Sequence, residues 1–196
     1  MEKPQISVVM PAYNHEAYIA EAIQSVLSQT FQNFELIIIN DGSTDSTENV
    51  ISGFKDARIR YLSQFNQGAH HALNRGILLA QGEYIAIINS DDVFIENRLE
   101  ILLETAQHRN LDFLISDISL IDGNSKDICD SSHWWLIWYE GLKQKYQQAS
   151  SSAAALLAGN YAITSSNFFF RTELIQRIGL FRPFHFILDY DFAFRA

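Results

Sequence analysis

The sequence predicts an α/β fold in which a mostly parallel sheet is flanked by helices and followed by a less regular second half. Three observations carry this. Short apolar runs rich in Ile, Val and Leu alternate with stretches whose apolar residues recur every three or four positions, the pattern of βαβ units. Three of the runs empty into polar clusters, Tyr13-Asn14, Asp41-Gly42-Ser43 and Asp91-Asp92, and ligands of open α/β sheets bind at the carboxyl ends of strands. After Asp117 the alternation gives way to a loop-like stretch, an aromatic run and shorter helical segments.

Residues 6–10 are β-branched and apolar, and Pro11 ends the strand. From 17 to 29, Ile19, Ala22, Ile23, Val26 and Leu27 form the stripe of a helix packed on a sheet. Residues 35–40 make a second buried strand. It leads into 41–45, where Gly42 permits a tight turn and Asp45 with Glu48 forms a capping box for a helix through Val50, Ile51 and Phe54. Residues 59–62 read as a short third strand, Asn66-Gln67-Gly68 as a turn, and 69–80 as a helix interrupted only by Gly76. Gly82 opens the central strand through Ile88. Residues 98–108 are an amphipathic helix and 111–117 a further strand. In the second half, 123–132 is loop-like, and 133–139 is aromatic, suited to a core or to an acceptor platform. A surface helix over 140–148, a short helix over 153–158 and a strand-like 162–170 follow. Residues 172–178 form a helix closed by Gly179, and 188–195 has helical spacing at Tyr190, Ala193 and Phe194.

With 196 residues, 47% hydrophobic and 13% aromatic, the chain suits one well-packed domain over 1–196. A formal charge of -9 argues against general affinity for nucleic acid, and it means that an anionic ligand needs a metal or local N–H donors. One cysteine, Cys129, excludes an internal disulfide framework and a thiolate zinc cluster. Residues 1–5 run straight into the first strand without a basic segment followed by a long apolar one, and no window reaches transmembrane length. A cytoplasmic protein is expected, with peripheral membrane association and oligomeric state left open.

Adjacent carboxylates repel each other, and a divalent cation bridged to phosphates is the commonest solution, so Asp91-Asp92 is a candidate metal–diphosphate site. The competing reading makes one of them a cap for the helix beginning near Glu96. An aromatic ring such as Tyr13 can stack on a base, and Asp41 can accept from a base N–H or a ribose hydroxyl. Neither a dinucleotide-type nor a P-loop glycine cradle is present. The pattern asks for a nucleoside diphosphate with metal.

These residues resemble the inverting glycosyltransferases of family 2. The matching motifs are Val8-Val9-Met10-Pro11-Ala12-Tyr13-Asn14, Ser25-Val26-Leu27-Ser28-Gln29-Thr30, Ile38-Ile39-Asn40-Asp41-Gly42-Ser43-Thr44-Asp45, Asn66-Gln67-Gly68, Asn74-Arg75-Gly76 and Gly82-Glu83-Tyr84. Asn89-Ser90-Asp91-Asp92 falls on the family's acidic metal motif. Ile178-Gly179-Leu180-Phe181-Arg182 and 189–195 look like its acceptor-side and catalytic-base segments. The resemblance implies a GT-A, Rossmann-like fold with a nucleotide-binding half at 1–117 and an acceptor-binding half at 118–196. It implies nucleotide contacts from Pro11, Ala12, Tyr13, Asn14, Asp41, Gly68, Arg75 and Asp91, Mn²⁺ or Mg²⁺ on Asp91 and Asp92, and Asp189 as general base. The donor it implies is a nucleotide sugar, UDP-linked by preference because uracil N3–H suits Asp41, with dTDP next and GDP a distant third. The acceptor is a saccharide or lipid-linked saccharide, as in polysaccharide biosynthesis.

Three positions depart from the pattern. Asn40 and Asn89 stand where the family often has Asp, and Leu188 stands where an acid usually precedes the base, a drier setting that raises the pKa of Asp189. Family members commonly carry more acceptor-binding structure after the position of Ala196, so a truncated chain or a minimal enzyme is expected. The alternative to an enzyme is a catalytically silent nucleotide-sugar-binding domain. A nucleotidyltransferase would want a basic, glycine-rich loop near the N-terminus, which is absent.

Overall fold

The computed structural model describes residues 3–184 and 186–196, so Met1 and Glu2 of the N-terminal segment lie outside the described residues. Six strands, β1 (Ile6–Ala12), β2 (Phe34–Asn40), β3 (Ile59–Ser63), β4 (Tyr84–Ile87), β5 (Phe113–Ile115) and β6 (Phe168–Arg171), form one sheet in the order β3-β2-β1-β4-β6-β5. The helices are α1 (Ile19–Leu27), α2 (Thr47–Ser52), α3 (Ala69–Leu79), α4 (Arg98–Arg109), α5 (Trp134–Gln148), α6 (Ser152–Ala158), α7 (Leu174–Ile178) and α8 (Leu188–Arg195). Strands β3, β2, β1 and β4 are parallel, and β6 runs antiparallel to both β4 and β5.

Because side chains alternate along a strand, each parallel strand feeds two cores. Val8, Met10, Leu36, Ile38 and Ala86 meet Ile19, Ile23 and Val26 of α1 and Leu99 and Leu103 of α4 on one face. Val9, Ile85 and Ile87 meet Leu73 and Ile77 of α3, Leu156 of α6 and Phe192 of α8 on the other. Proline is tolerated at position 11 for a specific reason. The Val9 carbonyl accepts from Ile88 N on the β4 side, and Pro11 faces the same way, but pairing with β4 stops at Val9 and Ile87.

The second half corrects the expected boundaries. The aromatic run and the surface helix are one helix, α5, in which Tyr139 is buried while Trp134 is exposed. The strand expected over 162–170 is a 3₁₀ turn, Ser165–Asn167, followed by β6. The strand after α4 spans only Phe113–Ile115 and pairs with β6 instead of β4. No capping box forms on α2: Asp45 accepts from Thr47 N at 3.0 Å and Glu16 N at 3.1 Å, tying the loop after β1 to the loop after β2, and the helix ends before Phe54.

Gly76 is a packing requirement, since a Cβ there would overlap Val9 Cγ1 where α3 crosses β1. Gly76→Ala is expected to cost about 1–3 kcal/mol, seen as a lower urea midpoint at unchanged slope. Adding Val9→Ala should recover part of that loss, and strictly additive losses in the double variant would rule out this contact as the cause.

Candidate active site

The loops after β1 and β2 are fastened to each other. Asn14, at φ 53°, accepts from Thr44 N through Oδ1 at 2.8 Å, and its own amide donates to Ser43 Oγ at 3.0 Å. Asn can hold this left-handed conformation because its short side chain bonds locally. Asp41 is buried, and it accepts from Gln64 Nε2 at 2.7 Å, Gln67 N at 3.0 Å and Gly68 N at 2.8 Å. It therefore moulds the loop after β3, while Oδ2, with one bond, keeps a lone pair for a ligand. Arg75 braces the same loop through Ser63 O and Gln64 Oε1. Pro11 is half-buried, the Ala12 side chain sits in the core, and Tyr13 stays 45% exposed at the rim. Of the residues expected to touch nucleotide, Tyr13, Asn14, Asp41 and Asp91 gather at adjoining strand ends. Ala12, Gly68 and Arg75 act on the shape of the loops: the Ala12 carbonyl accepts from Asp41 N at 2.8 Å.

At the end of β4, Asp91 is half-exposed with His15 Nδ1 3.8 Å from Oδ1, and the same His15 nitrogen lies 2.8 Å from Ser90 Oγ. Asp92 is more enclosed. Its Oδ2 accepts from Ser166 Oγ at 2.6 Å and Asn89 Nδ2 at 3.3 Å. Burial, reinforced by the charge of Asp91, holds its carboxyl above the usual carboxylate range against those two donors. Neither Asp caps α4, whose N-cap is Asn97 with no side-chain bond, so the capping alternative falls away. Asn89 also donates to Thr164 Oγ1 at 2.9 Å, and its amide N donates to Ser166 Oγ at 2.8 Å.

Thr164, Ser165 and Ser166 are the contributors that sequence reasoning missed. Their signal is a run of three hydroxyls interrupting an otherwise apolar strand pattern. Behind them the buried Arg98 guanidinium donates to Ser166 O at 2.7 Å and to Ser116 Oγ and lies 4.4 Å from the centre of the Phe94 ring, with its pKa pulled down to about 10 by burial. Ile163, a β-branched residue at φ 60°, introduces the segment in a strained conformation worth about 1–3 kcal/mol.

Asp189 stands in the first turn of α8. Its Oδ1 is buried without a hydrogen-bond partner, and burial pushes the carboxyl up to about 6, opposed by the polar groups of nearby Ser165 and assisted by the charge of Asp92. The helix is anchored by Phe192, stacked 4.1 Å from Phe181 and 5.9 Å from Phe168. Asp191 is committed elsewhere, to Arg182 at 3.2 Å and Arg195 at 2.8 Å. Asn74 holds Phe181 through a reciprocal pair, Nδ2 to Phe181 O at 2.8 Å and Phe181 N to Oδ1 at 2.9 Å.

A sequence model described as glycosyl transferase family 2 matches residues 7–177. The chain belongs to that family. It is 35% identical over 185 residues to the glycosyltransferase GlyG of Streptococcus pneumoniae, covering 92% of this chain and 59% of GlyG. It is 36% identical over 126 residues to the Escherichia coli UDP-Glc:alpha-D-GlcNAc-diphosphoundecaprenol beta-1,3-glucosyltransferase WfgD, covering 64% of this chain and 50% of WfgD. Among solved structures, S. aureus TarS 1–349 in complex with UDP-GlcNAc superimposes with a TM-score of 0.70 at 22% identity, over 98% of this chain and 53% of TarS. The mannosyltransferase PcManGT of Pyrobaculum calidifontis, with GDP-Man and Mn²⁺, gives 0.66 at 18% identity, over 93% and 48%. The fold of this family 2 chain is thus GT-A, and it spans half to three-fifths of the length of those relatives.

The raised pKa of Asp189 has a sign that can be measured. Its folded value, about 6, lies above the ordinary 3.8, so the folded protein holds the proton more tightly. The resulting stabilisation is present in full at low pH and is lost as pH rises through about 6. Urea midpoints of the parent should therefore fall relative to those of Asp189→Asn between about pH 4 and 6. Parallel profiles in that window would refute the buried, proton-retaining carboxyl.

Proposed function

We propose that this family 2 chain carries the catalytic centre of an inverting glycosyltransferase, moving a sugar from a nucleotide diphosphate, UDP by preference, to an acceptor hydroxyl. The observation that carries the proposal is the Asp189 carboxyl, buried with an unpartnered Oδ1 beside Asp92, while Asp191 is neutralised by two arginines. Inversion by a single displacement needs one base facing the acceptor hydroxyl, and a carboxyl poised near 6 takes up a proton more readily than an ordinary Asp. The alternative, a silent nucleotide-sugar-binding domain, is disfavoured by that same enclosed carboxyl, which a pure binding site does not require.

The residues present suit Mn²⁺ or Mg²⁺. No group of three or more His, Cys, Asp or Glu able to hold a metal exists among the described residues, and one or two carboxylates completed by phosphate oxygens and water is the donor set these ions accept. Asp92, with Asp91 beside it, would hold the ion, and its chemistry there is to stabilise charge on the leaving diphosphate. Tyr13 would stack on the base, Asp41 Oδ2 would accept from uracil N3–H, and Asp91 would take the ribose or the metal. In support of this donor class, TarS is solved with UDP-GlcNAc. WfgD is named for a lipid-linked sugar acceptor, which supports a saccharide or lipid-linked saccharide acceptor here. No helix among the described residues is long and apolar enough to cross a membrane, and one exposed cysteine fits a reducing, cytoplasmic setting.

Three measurements test this. UDP should bind more tightly than ADP, and tightly only with Mn²⁺ or Mg²⁺ present, and equal affinity in EDTA would remove the metal. Asp92→Ala should abolish metal-dependent binding while Asp91→Ala chiefly weakens nucleotide affinity. Asp189→Asn should lower turnover by about 10²–10⁴ with UDP affinity near that of the parent. Full turnover in Asp189→Asn and loss in Asp191→Asn would shift the base by two residues.

A further inference from the structure

A cavity of about 680 Å³ lies against Asp92, walled by the segment after β4, the first turns of α4, residues 116–127 and the start of α5. Its Asp92 and Ser166 pole is polar, and the wall beyond includes Ile95, Ile101, Ile118, Leu120 and Trp135. The Trp135 ring lies 5.9 Å from Trp138, so apolar surface continues out of the cavity along the exposed face of α5. A nucleotide and its sugar account for the ends of β1, β2 and β4, but nothing in them requires this wall.

Charge narrows the occupant. The ionisable side chains of the lining are Asp91, Asp92, Asp117 and Asp127 against Arg98 alone. Arg98 is committed to Ser116 and Ser166, and Lys143 with Tyr139 already meets Asp117. Away from the Asp91–Asp92 pole, where the proposed ion would already be taken up by the donor diphosphate, no cation in the lining is left to meet a phosphate. A bare saccharide would set unpaired hydroxyls against branched aliphatic chains, which is costly, whereas an alkyl or aryl group would take exposed apolar surface out of water. The volume is of the size that holds small organic ligands, about 300–1,000 Å³.

We propose that this cavity holds an uncharged aliphatic or aromatic aglycone of the acceptor, which enters past the Asp92 pole and leaves the reacting hydroxyl outside the cavity, on the Asp189 side. The proposal rests on the sugar-transfer reading above. Octyl β-D-glucopyranoside, methyl β-D-glucopyranoside and octyl phosphate, each below its micelle concentration, are titrated calorimetrically into the parent, Leu120→Asp and Ile101→Asp, with UDP and Mn²⁺ titrated into the same preparations. The octyl glucoside should bind at least about tenfold more tightly than the methyl glucoside, and octyl phosphate more weakly than octyl glucoside. Both variants, on different walls, should lose most of the octyl preference at unchanged UDP affinity, and Ile101 is exposed enough that its variant should fold even if Leu120→Asp does not. Equal affinity for the two glucosides, octyl binding undiminished in the folded variants, or preference for octyl phosphate overturns the proposal while UDP binding leaves the sugar-transfer reading in place. A parent that fails to bind UDP overturns both.

Discussion

The candidate site depends on one reversal of chain direction. Because β6 runs antiparallel to β4, with Ala86 opposite Phe169, the residues that precede β6 arrive beside the residues that follow β4. A parallel β6 would have carried residues 164–167 to the opposite end of the sheet. The reversal sets three hydroxyl side chains against Asn89 and Asp92, and it places the segment that Arg98 grips from behind. Two carboxylates can then stand side by side with hydroxyl and amide donors on one of them, at far less cost than two bare charges.

The two asparagines that depart from the family pattern fit this account. Asn89 donates to Asp92 and Thr164 and accepts from Ser165, so a carboxylate in its place would face Asp92 as a third like charge. Asn40 donates to Tyr61 Oη at 3.1 Å and accepts from Ser43 N at 3.0 Å, which fixes the turn after β2 while adding no charge beside Asp41. In a chain with a net charge of -9, neutral hydrogen-bonding side chains at these places limit repulsion around an anionic ligand.

The parallel part of the fold was legible because its signals are local. Residues 6–10 and 85–88 are continuous apolar runs, the α1 stripe has clean helical spacing, and Gly42 and Gly68 mark turns at φ 74° and 91°. The carboxylates Asp41, Asp91, Asp92 and Asp189 were also legible, as polar residues at predictable strand ends or in a recognised segment. Strand pairing across the second half was not. Phe113–Ile115 and Phe168–Arg171 look alike as apolar runs, and neither states which neighbour it takes. The donors on Asp92 were hidden for the same reason, since Ser166 becomes meaningful only once β6 is known to be antiparallel. The expected capping box failed because Asp45 turned one oxygen to the nearby Thr47 N and the other across the loop from β1 to Glu16 N, a tertiary competitor that no local motif reports.

The reversal also separates the two edges of the site in folding order. The edge formed by the loops after β1 and β2 closes over 29 positions, from Asn14 to Ser43, whereas Asn89 and Asp92 meet Ser166 only across 77 and 74. Loop closure costs more for the longer spans, and a nascent chain presents its early strands first. The loops after β1 and β2 can therefore fasten before the end of β4 meets residues 164–166, and under the proposed function a molecule caught half-assembled would sequester donor without consuming it.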